Sequence, residues 1–261
     1  MIKNIDLVVV NYQTPGDLFD FCCSYEDHKP EIRSRLIIMN NDPTEADIAV
    51  ASEFVERGTV HRVVNGENIG YSGALNLAYR HFVNDAMAFF NADTQLTAGV
   101  VDSCCDLLQD ERVGVVGPGQ VNRAGQVTHA GIFGTHDRPQ HRGWKDRWKP
   151  EYEDVREAIS VSGSAYFTTR KCMNDLFYSR PYKELYPDVV GPFLPTPHYY
   201  EETWFSYHAW HLGYRVMYNG QARMLHEWHK ASPHGGYAEQ MMPQSRRMFR
   251  EACDHLGIPH D

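Results

Sequence analysis

Short apolar runs alternate with amphipathic segments through the first half of the chain. The apolar runs, rich in aliphatic residues, cover 5–10, 36–39, 60–64 and 86–90. Runs of this length are typical of strands that are covered on both faces of a parallel sheet. Between them, helical segments are predicted at 17–25, 46–57 and 68–82. The alternation predicts repeated β-loop-α units, and therefore an α/β fold with a mostly parallel central sheet flanked by helices.

The pattern weakens in the second half of the chain. A helix at 100–109 and a strand at 113–116 are predicted first, and 117–150 predicts irregular structure with short strands. The remaining expectations are strands at 160–168 and 215–218, a Pro- and Tyr-rich loop at 176–197, and helices at 202–212 and 238–256. Residues 215–225 resemble strand, turn and strand, and 229–237 is predicted to be mobile. With 261 residues, 42% of them hydrophobic, the chain fits one domain.

Polar side chains follow several of the predicted strands. In a parallel sheet, ligands bind beyond the carboxyl ends of the strands, and this rule points to Asn11, Asn40, Asn68 and Asp93. Asp93 is placed to bind a hard divalent cation, because such ions bridge diphosphate oxygens with one or two protein carboxylates. The alternative is that Asp93 caps the next helix.

A histidine near the end of the run 215–225 offers a second metal ligand. His226 is a borderline ligand that suits Mn better than Mg, although a single histidine is more often structural. His229 and His234 lie close by in the sequence, so a zinc site is an alternative.

Two adjacent carboxylates begin the helix predicted at 202–212. Glu201 or Glu202 is placed to act as a general base towards a hydroxyl, and the alternative is that both stabilise the positive end of the helix. The glycine-containing stretch 68–76 lacks the spacing of an ATP- or NAD-binding motif. The tryptophans and cations of 144–149 suit stacking on sugars or bases, or simply form a solvated loop.

Charge and cysteine content narrow the classes of protein. The formal charge of −9 disfavours sequence-independent nucleic-acid binding as the main function. The six cysteines show neither C-x-x-C spacing nor the density of a disulfide scaffold, and no run is long enough to span a bilayer, so a cytoplasmic protein is expected.

The order of the motifs is more specific than any one of them. The segments VVVNYQTP, IIMNND, ENIGYSGALN, FFNADT, VSGSAYF, YYEETWFSYHAWHLGYRV and ARMLHEWHKAS occur in this order over about residues 4–232. Together they resemble family 2 glycosyltransferases of the GT-A fold, especially the rhamnosyltransferase-like branch. The resemblance implies one domain over 1–261, with a nucleotide-sugar-binding half (about 1–116), an acceptor-side half (about 117–232) and a C-terminal tail and helix (233–261).

The same resemblance assigns roles to individual residues. Asn11 and Tyr12 would lie under the nucleotide base, and Asn40 stands where the family usually has an Asp that contacts the base. The nucleotide-sugar pocket would be completed by Asn68, Gly70, Tyr71, Asn76, Asn91, Asp93 and Gly163, of which Gly163 lies beside the acceptor. Asn91 and Asp93 match the D-x-D-type motif, and Asp93 and His226 would hold the metal, Mn or Mg. Glu202, with Glu201 beside it, matches the position of the catalytic base.

The implied activity is hexosyltransferase-type transfer, with inversion, from a nucleotide-diphosphate sugar to an acceptor hydroxyl. Trp204 and His208 depart from the family pattern on the acceptor side, where Asp and Arg are common. The acceptor therefore stays open between a glycan, a lipid-linked sugar, a protein and a modified nucleobase, and the sequence also leaves room for an oligomer. The alternative functions are a catalytically inactive binding or scaffold protein of the same fold and a nucleotidyltransferase.

Overall fold

Aliphatic runs form the central strands, and the amphipathic segments between them form helices that cover the sheet. The computed structural model describes residues 1–227 and 237–260, with the backbone alone at 237–239. The strands are β1 (Asn4–Asn11), β2 (Arg33–Asn41), β3 (Val60–Gly66), β4 (Ala86–Asn91), β5 (Thr94–Gln95), β6 (Val113–Val121), β7 (Val127–His129), β8 (Ile132–Thr135), β9 (Arg138–His141), β10 (Val155–Glu157), β11 (Ala165–Thr169) and β12 (Arg215–His226).

Eight helices complete the part of the chain that the structure describes. They are α1 (Pro15–Asp27), α2 (Glu45–Glu56), α3 (Gly70–His81), α4 (Val100–Leu107), α5 (Arg170–Phe177), α6 (Arg180–Leu185), α7 (Glu201–His211) and α8 (Tyr237–Leu256), and a short 3-10 turn covers Pro150–Tyr152. None of the helices in these ranges is both long enough and apolar enough to cross a membrane.

The main sheet has the strand order β10-β12-β6-β11-β4-β1-β2-β3. The pairings β4-β1, β1-β2, β2-β3 and β12-β6 are parallel, and β11 runs antiparallel between β4 and β6. This confirms the predicted α/β fold with a mostly parallel central sheet. The carboxyl ends of β1, β2 and β4 lie side by side, because Asn11 pairs with Asn40 and Val10 pairs with Asn91.

The core lies in layers on the two faces of the sheet. Successive residues of β1 alternate between them, so Leu7 and Val9 pack in the layer with Phe21 and Phe54, whereas Val8 packs in the opposite layer. A third cluster joins the start of α6 to α7 and α8 around Trp204 and Phe249. The third cluster fixes the helix that carries Glu201 and Glu202.

Two parts of the second half differ from the sequence prediction. A loop was predicted at 176–197, and this was wrong for Arg180–Leu185, which is helical. The helix forms because a proline is tolerated in the first helical turn and because Tyr182 is fully buried. The strand, turn and strand predicted at 215–225 was also wrong, because β12 is continuous and carries an irregularity between Asn219 and Arg223. Gly220 at that irregularity lies so close to Tyr152 that a Cβ atom would be 1.9 Å from its carbonyl oxygen.

The boundaries of two strands in the second half of the chain also differ from the prediction. The strand predicted at 113–116 extends to Val121, and the one predicted at 160–168 is confined to Ala165–Thr169. The segment predicted as mobile, 229–237, lies outside the described residues except for Tyr237.

Candidate active site

The ends of β4 and β12 bring together the two residues predicted to hold a metal. β5 follows β4 directly and pairs Thr94 with His226 on β12, and the amide of Glu227 donates to the carbonyl of Asp93 at 3.2 Å. As a result, Oδ1 of Asp93 lies 3.6 Å from Nε2 of His226, and each side chain is only 6% exposed.

This pair fits one divalent ion in its chemistry. A carboxylate oxygen and an imidazole nitrogen, converging in a nearly buried place, form a mixed donor set of the kind that suits Mn. Among residues 1–227 and 237–260, no cluster of three or more His, Cys, Asp or Glu side chains is arranged to hold a metal. An ion held by these two residues would therefore take further ligands from phosphate oxygens or water, as diphosphate-bound cations commonly do. His229 and His234 of the alternative zinc site lie outside the described residues.

Glu201 and Glu202 open α7, next to an unusual stretch of backbone. Tyr199 and Tyr200 both have left-handed backbone angles (φ 65° and 71°), which bulky residues rarely adopt and which concentrate at functional sites. Nε of Arg246 donates to the phenol oxygen of Tyr200 at 2.9 Å, and the ring of Phe249 lies 5.0 Å from the Tyr200 ring. Helix α8 therefore supports the turn that presents the two carboxylates.

Gly163 packs closely against Glu202. A Cβ atom at Gly163 would lie 3.0 Å from Cγ and 3.2 Å from the carboxyl carbon of Glu202. The phenol of Tyr71 donates to the carbonyl of Gly163 at 2.8 Å, which links the start of α3 to the same place. Tyr71, Gly163 and Glu202, which are distant in sequence and which the family resemblance places in one site, are therefore neighbours.

Three carboxyl groups lie close enough to Tyr71 to act on its phenol. Burial, and then the charges of Glu201, Glu202 and Asp93, raise the pKa of the Tyr71 phenol well above its ordinary value. The structure thus brings the predicted metal ligand Asp93 and the predicted base Glu202 into the neighbourhood of Tyr71.

The two glutamates differ in their surroundings. Glu201 is 5% exposed and accepts a hydrogen bond from the hydroxyl of Thr196 at 3.2 Å. Burial, followed by the charge of Glu202, raises the pKa of Glu201 to about 8. Burial also raises the pKa of Glu202, which is opposed by hydrogen bonds from backbone amides. At neutral pH Glu201 therefore keeps its proton.

The asparagines at the ends of β1 and β2 form a hydrogen-bonded row. Nδ2 of Asn11 donates to Oδ1 of Asn40 (3.0 Å) and to Oδ1 of Asp47 (2.9 Å), and Nδ2 of Asn40 donates to Asn65 (2.9 Å). Asn11 and Asn40 are buried, whereas Tyr12 is 43% exposed at the same edge. The row holds the chain immediately before Tyr12, and the contact of Asn11, Tyr12 and Asn40 with a nucleotide base stays a prediction.

The stretch before α3 is held by side-chain amides. Oδ1 of Asn68 accepts from the backbone amide of Gly70 (3.0 Å) and from Asn41 (3.1 Å). Asn76 is 3% exposed, and its amide exchanges two hydrogen bonds with the backbone of Phe193. Asn91 ends β4, and its backbone amide donates to the backbone carbonyl of Ser164. These contacts give Asn76 a structural task, and the ligand contacts of Asn68, Gly70, Asn76 and Asn91 stay predictions.

The two residues that depart from the family pattern lie in the core. Trp204 and His208 are fully buried on α7, and Nε2 of His208 lies 3.1 Å from the hydroxyl of Ser179. Both departures therefore change how α7 packs. Within the segment 144–149, Trp148 is partly buried against Tyr152, with ring centroids 5.7 Å apart.

Sequence reasoning missed a polar network beside His226. It consists of His129, Gln120, Ser162 and Ser164, all within or next to the sheet. Burial, and then the charges of His141 and His226, lower the pKa of His129 to about 3, so this imidazole is neutral. The available signal was Gln120 itself, a polar residue in the otherwise apolar run that follows the strand predicted at 113–116.

Comparison with known families identifies the class of fold. Residues 17–167 match the family model of glycosyl transferase family 2. No curated protein sequence matches the chain.

Solved structures share the fold at low sequence identity. The mannosyltransferase PcManGT from Pyrobaculum calidifontis, in complex with GDP-Man and Mn2+, is 15% identical with a TM-score of 0.63, over 96% of this chain and 64% of that one. GalNAc-T7 with UDP, GalNAc and Mn2+ is 11% identical with a TM-score of 0.69, over 97% and 48%. The 1-349 form of S. aureus TarS in complex with UDP-GlcNAc is 10% identical with a TM-score of 0.64, over 97% and 66%. The chain thus spans about half to two thirds of the length of these structures.

Proposed function

We propose that this chain, which belongs to glycosyl transferase family 2, moves a sugar from a nucleotide-diphosphate donor to an acceptor hydroxyl with inversion at the anomeric carbon. The observation that carries the proposal is the convergence of Asp93, His226 and Glu202 around Tyr71 and Gly163. The Asp93–His226 pair offers a nearly buried oxygen and nitrogen to a cation, and Glu202 offers a carboxylate to a proton.

Glu202 performs the proton transfer in this proposal. The acceptor oxygen attacks the anomeric carbon while its proton passes to the Glu202 carboxylate, and the bond from that carbon to the donor phosphate oxygen breaks with its electron pair on the diphosphate. One displacement inverts the anomeric centre. The proton on Glu201 limits the negative charge beside Glu202.

Asp93 and His226 would hold the divalent ion. When bound, such an ion neutralises the charge that develops on the departing diphosphate. The solved structures of similar fold that contain Mn2+ with GDP-Man or with UDP support this assignment. The proposed donor side also includes Asn11, Tyr12 and Asn40 at the base and the stretch around Asn68.

The proposal extends to the family branch, the two halves of the chain and the location of the protein. The order of motifs supports the rhamnosyltransferase-like branch, with a donor half over about 1–116 and an acceptor half over about 117–232. All six cysteines are free thiols, which supports a reducing, cytoplasmic location. Trp204 and His208 are buried and do not reach the surface, so they do not indicate which class of acceptor binds.

The substitution Glu202→Gln tests the proposal. We expect calorimetry with Mn2+ and a nucleoside diphosphate to give the wild-type affinity, because the base does not hold the diphosphate. We expect the release of nucleoside diphosphate from the matching nucleotide sugar to fall by about 10²–10⁴-fold, the usual contribution of acid–base help.

The exposed Glu111 provides the matched control, because Glu111→Gln changes the same chemical group on the surface. Full turnover by Glu202→Gln would refute the base assignment. Metal-dependent binding by the wild-type protein with no turnover of any donor would instead favour a binding or scaffold protein.

A further inference from the structure

Gln120 is buried in β6 against the candidate metal ligand His226. Its side chain is fully excluded from solvent, and its Oε1 lies 2.9 Å from Nδ1 of His226. The same oxygen accepts a hydrogen bond from the hydroxyl of Ser164 at 2.7 Å. Gln120 therefore offers its carbonyl, rather than its amino group, to the histidine.

This contact determines which imidazole nitrogen of His226 carries the proton, and therefore whether Nε2, the nitrogen near Asp93, has a free lone pair. A neutral imidazole carries one proton, and an acceptor at Nδ1 places that proton there. Nε2, which lies 3.6 Å from Oδ1 of Asp93, is then free of hydrogen and able to bind a cation. A metal-binding histidine commonly donates its other N–H to an outer acceptor in this way.

The orientation of Gln120 leaves its amino group unused. Within residues 1–227 and 237–260, the buried Nε2 of Gln120 has no hydrogen-bond partner. A buried donor without a partner costs free energy that an apolar side chain of similar shape would not. The folding of β6 therefore does not explain the glutamine, whereas its carbonyl oxygen has a task at His226.

The network continues towards Glu202. The hydroxyls of Ser162 and Ser164 lie 2.8 Å apart, and the amide of Ser162 donates to Nε2 of His129 at 3.3 Å. Gly163, which touches Glu202, lies between the two serines. The side chain that orients His226 is thus held by the segment that contacts the proposed base.

We propose that Gln120 is a positioning residue that fixes the Nδ1–H form of His226 and thereby prepares Nε2 to bind a divalent cation. The cation role of His226 rests on the proposed function, whereas the protonated nitrogen is a property of the metal-free protein. Ser164 supports Gln120 by donating to the same oxygen.

Two readouts test the proposal. The first is the 15N spectrum of histidine-labelled, metal-free protein, which shows which imidazole nitrogen of His226 carries the proton. The second is calorimetry with Mn2+ in the presence of UDP, GDP, dTDP or CDP. The variants are Gln120→Met, which removes the acceptor at similar length, and Gln120→Glu, which keeps an acceptor. Gln221→Met, at an exposed position on β12, is the control.

We expect the wild-type protein to show the Nδ1–H form and Gln120→Met to lose it, with Mn2+ affinity lower by about 10–100-fold. Gln120→Glu should restore both, and Gln221→Met should change neither. If Gln120→Met does not fold, Ser164→Ala should give a smaller change in the same direction. A proton on Nε2 in the wild-type protein, or an unchanged tautomer and affinity in the folded variant, would overturn the proposal. Failure of the wild-type protein to bind Mn2+ would overturn the metal role, while the spectrum would still report on Gln120.

Discussion

Glu201 and Glu202 are adjacent in sequence, yet the start of α7 gives them different surroundings. The sequence predicted two carboxylates at a helix start and, from the family resemblance, favoured the second as the base. It did not show that Glu201 lies against Thr196 with a pKa raised to about 8, because that segment was predicted as a loop. Which of two neighbouring acids ionises depends on burial, and burial depends on residues distant in sequence.

Glu201 should make the stability of the protein depend on pH. Its folded pKa is raised from 4.5 to about 8, so between these values the folded protein holds a proton that the unfolded chain has released. The contribution of Glu201 to the free energy of unfolding should therefore be complete below about pH 4.5. It should fall as the pH rises to 8, by at most about 1.4 kcal/mol per pH unit. Glu201→Gln should flatten this fall in urea unfolding measured from pH 5 to 8.

The exposed Glu111 supplies the comparison for this experiment. Glu111→Gln removes an exposed carboxyl group, so the dependence of its unfolding free energy on pH should follow that of the wild-type protein. An unchanged slope in Glu201→Gln would show that Glu201 titrates alike in the folded and unfolded states.

The other site residues differ in how well the sequence predicted them. Asp93 could be placed because an acid after a buried strand lies at the ligand edge of a parallel sheet. His226 was predicted as a metal ligand from its position after the run 215–225 and again from the resemblance, whereas Gly163 came from the resemblance alone. The structure places them against Asp93 and Glu202 respectively. Gln120 was missed because its significance depends on a contact across β6 and β12 that no local pattern reports.

At the scale of elements, the helix that bears the glutamates depends on the C-terminal helix. Phe249 on α8 is 2% exposed, and its ring lies 5.0 Å from Tyr200 and 5.4 Å from Tyr207 on α7. Phe249→Ala should lower the free energy of unfolding by about 3–5 kcal/mol, the usual cost of such a cavity. Because Tyr200 begins α7, turnover should fall as well.

Urea unfolding measures the stability part of this prediction. Phe249→Leu keeps most of the buried volume and should lose less, which separates the cavity from the loss of the aromatic ring. An unchanged free energy of unfolding in Phe249→Ala would show that α8 does not support α7.

The elements of the first half were predicted better than those of the second. Continuous apolar runs are a strong signal, and β1 to β4 were found with boundaries within a few residues. Helix α6 was missed because it lies in a stretch rich in proline and tyrosine, which is typical of a loop, although burial of Tyr182 stabilises it. β12 was divided because Asn219 and Gly220 are typical turn residues, whereas here they form an irregularity inside one strand.

At the scale of the whole molecule, the sheet gathers residues from distant parts of the chain at one edge. The carboxyl ends of β1, β2 and β4 supply the predicted donor side, and β12 returns through the sheet to bring His226 to Asp93. The sequence order of the motifs indicated the family, and the topology explains why they meet. The carboxyl groups of Glu201, Glu202 and Asp93 all act on Tyr71, so a diphosphate at this site would meet negative charge, which a bound cation would offset.

The central claim is that Asp93 and His226 bind a cation that in turn binds a nucleotide-diphosphate sugar. Its most direct test is the thermal unfolding of the wild-type protein and of Asp93→Asn with UDP-, GDP-, dTDP- and CDP-sugars, each with and without Mn2+. Asp188→Asn, at an exposed position, is the control. A ligand that binds only the folded state raises the unfolding temperature by mass action. We predict that one class of donor stabilises the wild-type protein and Asp188→Asn only when Mn2+ is present, and that Asp93→Asn loses this effect. No stabilisation by any donor, or stabilisation that persists in Asp93→Asn, would contradict the account.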